Sequence, residues 1–150
     1  MNKENIILIS SSGGHFEQLK QLKDLSDFYN LIWVTEKTKY DNEVDYKFPS
    51  IKLKSILFPF KYIISLFKSH RIIKRYKPVA IISTGALVSI PLLLVARRKK
   101  IKTIFIETFA RVTDSTKTGK FLYDKVDLFI IQWETLKEVY PNSVYGGGLY

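Results

Sequence analysis

The chain is 150 residues long, 46% hydrophobic and free of cysteine, which fits one domain over residues 1–150 with a sizeable core and no disulfide framework or thiolate metal site. Its longest apolar run, residues 86–96, is broken by Ser89 and Pro91 and falls short of the roughly 20 residues a spanning helix needs. The net charge of +10 is concentrated: 14 of the 24 Lys and Arg lie between Asp45 and Glu107, a stretch without one acid, so a polyanionic partner is expected, either a nucleic acid or an anionic lipid surface.

The elements alternate from the first residues onward. An apolar run, Ile6-Ile7-Leu8-Ile9, predicts a strand over residues 5–10. A helix over residues 14–28 follows, with Phe16, Leu19, Leu22 and Leu25 on its inner side. Residues 31–35 are a second strand, 36–45 a polar loop, and 46–51 a short extended piece. The next helix covers residues 58–77, with Pro59 acceptable in its first turn and Pro78 ending it. Strand 79–82, helix 86–96, strand 102–106, a helix over 117–124 and strand 128–131 complete the regular part. A short helix, 134–140, ends at Pro141, and an extended piece at 143–145 meets Gly146-Gly147-Gly148. Strands separated by helices predict an α/β fold with a doubly wound, mainly parallel, Rossmann-like sheet.

Three strand ends carry polar groups. The first strand runs into Ser10-Ser11-Ser12-Gly13-Gly14-His15. Two glycines let the chain turn tightly and leave the first helical amides open to an anion, with His15 at the mouth. The spacing matches neither the G-x-G-x-x-G dinucleotide fingerprint nor a P-loop. A plain polar turn capped by His15 is the alternative. The second strand end of this kind is Ser83-Thr84-Gly85, and the third is Glu107 with Arg111 close behind. In an open parallel sheet all strands end on one edge, so His15, Ser83, Thr84 and Glu107 are expected around one cleft. Glu107 is either a reacting carboxylate or a structural hydrogen-bond acceptor.

The basic helix over residues 58–77 mixes charge with apolar residues. On a helical wheel Lys61, Lys68, Arg71 and Arg75 share one side with Ile64 and Ile72, opposite Tyr62, Leu66, Ser69, Ile73 and Tyr76. Such a face suits a lipid interface, where Lys and Arg stems reach up to phosphate heads; an ordinary solvated crossover helix is the alternative. No helix-turn-helix, zinc or aromatic-stacking signature supports nucleic acid.

Gly13-Gly14-His15, the segment from Ser83 through Pro91, and Glu107 resemble the three acceptor-side loops in the N-terminal half of GT-B glycosyltransferases, especially the bacterial N-acetylglucosamine transferase that makes lipid II. Glu107-Thr108-Phe109-Ala110-Arg111-Val112, Lys117-Thr118-Gly119-Lys120, Gln132-Trp133-Glu134 and Tyr145-Gly146-Gly147 carry the resemblance further. They look like the family in which this half is a separate polypeptide: the membrane-associating subunit of the two-component transferase of eukaryotic N-glycan assembly and its bacterial capsule and exopolysaccharide relatives.

The resemblance implies an acceptor-binding subunit of a heteromeric, inverting UDP-sugar transferase, inactive alone and lacking the donor domain. Its acceptor would be a polyprenyl-diphosphate-linked saccharide. His15 or Glu107 would be the base. Ser12, Gly13, Gly14, Ser83, Thr84, Gly85 and Arg111 would bind substrate, and no metal or cofactor is needed. With no visible anchor or export signal, attachment would be peripheral, on the cytoplasmic face of the cell membrane, through Lys61, Lys68, Arg71 and Arg75. Gly146, Gly147, Gly148, Leu149 and Tyr150 would mark the seam with the donor subunit. The rival readings are a nucleic-acid binder and a self-sufficient Rossmann-like enzyme acting on a small phosphorylated substrate.

Overall fold

The computed structural model describes residues 3–39 and 43–149. Among these, seven strands form one parallel sheet: β1 (Asn5–Ser10), β2 (Asn30–Glu36), β3 (Tyr46–Phe48), β4 (Ala80–Gly85), β5 (Lys102–Ile106), β6 (Leu128–Ile131) and β7 (Val144–Tyr145). Their spatial order is β3-β2-β1-β4-β5-β6-β7. The helices are α1 (Gly14–Lys20), α2 (Phe58–Tyr76), α3 (Ile90–Arg98) and α4 (Lys117–Leu122).

Both faces of the sheet are covered, as parallel strands require and as the unbroken apolar run of β1 anticipates. Ile7 and Ile9 point to one face, where they join Ile72 and Ile73 of α2 and Leu92 and Leu93 of α3. Ile6 and Leu8 point to the other, against Phe16 and Leu19 of α1. All four β1 isoleucine and leucine side chains are buried, and each contributes about 1.5–3 kcal/mol of transfer free energy.

The predicted helix over 14–28 divides in two. α1 ends at Lys20 and continues as a 3-10 segment, Gln21–Asp27. The inner residues Phe16, Leu19, Leu22 and Leu25 are spaced by three, the period of a 3-10 helix, so tightening the turn keeps Leu22 and Leu25 against the core. The predicted helix over 86–96 likewise begins as a 3-10 turn, Leu87–Ser89, before α3. The short helix after β6 is a 3-10 segment, Glu134–Glu138. Pro59 sits in the first turn of α2, and Lys77, with φ of 46°, closes that helix just before Pro78.

The strand order reverses between β1 and β4. The chain moves outward through β2 and β3, then α2 carries it back past β1 to begin β4. A ligand crevice forms beyond the carboxyl ends of the strands at such a switch point. Here it opens where Ser10 pairs with Gly85, after a register shift at the end of β1.

Candidate functional site

At the switch point the first two loops interlock. His15 Nδ1 lies 2.7 Å from the Thr84 carbonyl, and the Thr84 hydroxyl donates to the His15 carbonyl at 2.7 Å. A carbonyl only accepts, so Nδ1 is the donor here and Nε2 is the ring nitrogen not used in this bond. The ring lies over Gly85. A Cβ at Gly85, whose φ is +108°, would sit 2.9 Å from His15 Cε1 and Nδ1, so the imidazole occupies the space a side chain would fill. The Ser11 N–H donates to the Gly85 carbonyl at 2.9 Å and closes the junction.

Gly13 precedes α1 with φ of 83°, a conformation open to glycine at little cost. The first intrahelical bond runs from the Phe16 N–H to the Gly13 carbonyl, so the Gly14 and His15 amides come before it. Gly13 and Gly14 are exposed and Ser12 half-buried at the same edge. Ser83 and Thr84 differ from expectation: both are fully buried. The Ser83 hydroxyl accepts from the Gly85 N–H at 3.0 Å and Thr84 is spent on His15. They shape the loop from within. Arg111 is exposed and paired with Asp114.

Glu107 also turns inward. It is 1% exposed, and its carboxylate accepts from the Thr108 N–H at 3.0 Å, the Thr116 hydroxyl at 2.9 Å, the Thr116 N–H at 3.3 Å and the Tyr140 hydroxyl at 2.7 Å. Burial, and then the bond to Glu107, push the Tyr140 phenol far above its ordinary range, so it remains a donor. Between the two alternatives raised for Glu107, this geometry is that of the structural acceptor. It pins the 107–116 loop onto α4, whose Gly119 approaches so closely that a Cβ there would lie 2.0 Å from Glu107 Oε2.

A buried amide relay joins the loops. Gln18, one turn after His15, donates to the Thr108 hydroxyl at 3.0 Å and accepts from the Phe109 N–H at 3.1 Å. The Gln132 side chain, just past β6, donates to Gln18 Oε1 and to the Glu107 carbonyl, both at 2.9 Å, and accepts from the Leu149 N–H at 2.9 Å. Neither glutamine was singled out as a site residue on sequence; only the position of Gln132 at a strand end hints at its place. The same relay holds the end of the chain. Leu149 packs against the second core cluster, the Gly146 N–H donates to the Ile131 carbonyl at 3.0 Å, and Gly148 passes close to Phe109. Residues 146–149 are thus docked on this domain; Tyr150 lies outside the described residues.

The exposed side of α2 overlaps the expected one, with Ile64, Lys68, Arg71 and Arg75 exposed, and is turned from it at two positions. Ile72 is buried and Lys61 half-buried. Lys61 donates to the Ser50 carbonyl at 3.2 Å and Lys68 to the Lys47 carbonyl of β3 at 2.8 Å, which ties β3 and the loop after it to the helix. The solvent face is instead divided lengthwise. Phe60, Ile63, Ile64 and Phe67 project from the first half, and Lys68, His70, Arg71, Lys74 and Arg75 from the second. Leu53, Ile56 and Leu57 extend the apolar half, with Ile56 90% and Phe67 73% exposed. An apolar patch this contiguous marks an interaction surface, and a basic zone borders it. No helix among the described residues is long and apolar enough to cross a membrane.

UDP-N-acetylglucosamine transferase subunit ALG14 of Homo sapiens is 30% identical over 138 residues, covering 88% of this chain and 60% of that protein. The UDP-N-acetylglucosamine--N-acetylmuramyl-(pentapeptide) pyrophosphoryl-undecaprenol N-acetylglucosamine transferase of Borreliella burgdorferi is 27% identical over 167 residues, covering 98% of the chain and 46% of that enzyme. The chain therefore spans less than two thirds of either relative. The crystal structure of MurG from Acinetobacter baumannii superposes with a TM-score of 0.72 at 18% identity, over 88% of this chain and 42% of that one. UDP-N-acetylglucosamine 2-epimerase from Rickettsia bellii gives 0.75 at 15%, over 99% and 46%. These two likenesses establish the fold, a Rossmann-like GT-B half. The family model "Oligosaccharide biosynthesis protein Alg14 like" matches residues 35–149, from the end of β2 through the docked C-terminal segment, and on that match this chain belongs to the Alg14-like family.

Proposed function

We propose that this chain is the acceptor-binding, membrane-recruiting subunit of a heteromeric inverting glycosyltransferase, inactive without a separate donor-domain subunit. The names of its relatives favour UDP-N-acetylglucosamine as donor. The acceptor is a saccharide on a polyprenyl diphosphate, in capsule or exopolysaccharide assembly at the cytoplasmic face of the cell membrane.

The observation that carries this reading is His15, held at the switch point with Nδ1 on the Thr84 carbonyl. In the proposed reaction an acceptor hydroxyl attacks the anomeric carbon of the donor sugar. Its proton passes to His15 Nε2, the bond from the anomeric carbon to the diphosphate oxygen breaks with its electron pair, and UDP leaves. Gly13 and Gly14 are exposed at the same edge, and their amides are the groups we assign to the acceptor diphosphate. Glu107 acts from behind as a positioning residue, because its oxygens are already occupied. The patch from Leu53 to Phe67 seats the subunit in the bilayer interface, and Arg71, Lys74 and Arg75 meet anionic headgroups. Donor-subunit contact is assigned to the C-terminal segment beside Phe109.

The test is reconstitution on vesicles. The chain and a donor-domain subunit are combined with labelled UDP-N-acetylglucosamine and a short-chain polyprenyl-diphosphate saccharide. Transfer that requires both subunits supports the reading, and transfer by the donor subunit alone at the same rate removes it.

A further inference from the structure

A groove of about 470 Å³ runs between α2, the turn after β4, and α4. Leu53, Phe58, Leu87, Ile90 and Phe121 make most of its wall, and Lys117 is the only charged residue on it among the described residues. Its two ends connect features that otherwise look unrelated. Ala86 lines one part and directly follows Gly85, over which the His15 ring lies. Leu53 and Phe58 line another part, and their neighbours Ile56, Leu57 and Phe60 are exposed in the apolar patch. The groove wall thus includes both the residue that follows Gly85 and the residues that border the exposed apolar patch.

We infer that this groove takes the phosphate-proximal isoprene units of the acceptor lipid. The inference rests on the acceptor-subunit reading and extends it: the lipid does not merely tether the sugar, it is read by the protein. The patch faces the bilayer, so the tail enters beside Leu53 and Phe58. The tail is apolar and branched, which suits a wall of Leu, Ile and Phe. Lys117 supplies a cation for the diphosphate where the apolar wall ends. A two-chain phospholipid lacks the feature that would make use of the other end, a saccharide delivered to His15. The groove thus discriminates by the chemistry of both tail and head.

Binding of farnesyl diphosphate, inorganic diphosphate and dioctanoyl phosphatidylglycerol below its micelle point, measured on the whole chain by calorimetry, tests the inference. Farnesyl diphosphate should bind roughly 100-fold more tightly than inorganic diphosphate, as burial of a few methylenes requires. Leu87→Glu should erase that advantage, and the milder Phe121→Ala should reduce it by about tenfold. Both variants should sediment with anionic vesicles as the unaltered chain does. Equal affinity for the two diphosphates overturns the groove assignment, as does equal binding of the phospholipid or an undiminished farnesyl preference in both variants. The acceptor-subunit reading fails separately. Tail-dependent binding without transfer in the reconstituted pair supports the groove and removes the transferase, while wild-type transfer in both groove variants removes the groove and leaves the transferase.

Discussion

His15 and Thr84 bind each other twice, imidazole Nδ1 on the Thr84 carbonyl and Thr84 hydroxyl on the His15 carbonyl, each at 2.7 Å. The pair fixes both the tautomer of the ring and its direction, which a general base needs before substrate arrives. His15→Ala should lower turnover of the reconstituted pair by about 100-fold or more, with vesicle and donor-subunit binding retained. Gly85→Ala should reproduce much of that loss without touching the imidazole chemically, because its Cβ would meet the ring at 2.9 Å. Full turnover in both variants would remove His15 from the mechanism.

The lengthwise division of α2 separates two contributions to membrane binding. Replacing Phe60, Ile63 and Phe67 by Ser should abolish the part of vesicle binding that survives high salt. Reversing Arg71, Lys74 and Arg75 to Glu should abolish the salt-sensitive part, since each cation near an anionic leaflet contributes about 1 kcal/mol. Lys61→Glu and Lys68→Glu should matter less for vesicles and more for folding, because the two ammonium groups hold backbone carbonyls of the loop after β3 and of β3 itself. Co-sedimentation over a salt series reads all three. Loss of binding in the Lys61 and Lys68 variants alone would return the anchor to the face expected from the wheel.

How much of this was legible in the sequence depends on the range of the interaction. The run Ile6 to Ile9, the paired glycines and the prolines at 59 and 78 act locally, and the elements they predict are the ones found. The spacing of Phe16, Leu19, Leu22 and Leu25 by three was visible, yet it reads as a loose α-helix until the core shows that the 3-10 turn aligns them. Phe60, Ile63 and Phe67 were hidden for a different reason. The first half of α2 is apolar on most sides, broken by Lys61 and Ser65, so the wheel alone does not set the edges of the face that α3 will cover. The direction of Glu107 depends on Thr116 and Tyr140, nine and 33 residues away, and Gln18 meets Gln132 across 114 positions. No local pattern encodes such contacts.

Glu107 and Gly119 make a stability prediction that separates support from catalysis. Glu107→Gln places an amide N–H among donors and should cost about 1–3 kcal/mol, the penalty for unsatisfied buried groups. Gly119→Ala should be at least as damaging, with a Cβ 2.0 Å from Glu107 Oε2 and 2.7 Å from the Tyr140 hydroxyl. Urea unfolding measures both. A Glu107→Gln protein of unchanged stability but without transfer activity would restore Glu107 as a reacting carboxylate.

Asp127 supplies the acid-side dependence. Its carboxylate accepts from the Thr103 N–H at 2.8 Å and the Thr103 hydroxyl at 2.9 Å. The Thr103 N–H is the main cause holding its pKa below the ordinary value, opposed by partial burial and helped by the hydroxyl, Lys102 and Arg97. A depressed folded-state pKa means the stabilisation is present above the unfolded value of about 3.9 and is lost as pH falls through the folded one. Asp127→Asn should therefore be less stable than the unaltered chain at pH 7, and the gap should shrink steadily below pH ~4. A gap that widens in acid would contradict the assignment.

The docked C-terminal segment gives the last prediction, and it differs from the one a flexible tail would make. Leu149 lies in the cluster with Leu8, Phe16 and Ile106, and its N–H is held by Gln132, which also bonds Gln18 and the Glu107 carbonyl. Deleting residues 146–150 should therefore lower the stability of this chain alone, by about 1–3 kcal/mol for a half-buried leucine and a broken buried hydrogen bond. Gln132→Ala should lower it as well, and the two losses should add only in part, because both remove the Gln132–Leu149 bond while the mutation alone also removes the bonds to Gln18 and the Glu107 carbonyl. If the segment also contacts the donor subunit, the deletion should weaken association beyond what Gln132→Ala does, since only the deletion removes the surface itself. Thermal unfolding of the chain and titration with the donor subunit read the two effects independently. A deletion that leaves stability unchanged would mean Leu149 contributes nothing to the core. One that destabilises the chain while leaving association intact would place the donor contact elsewhere along the crevice.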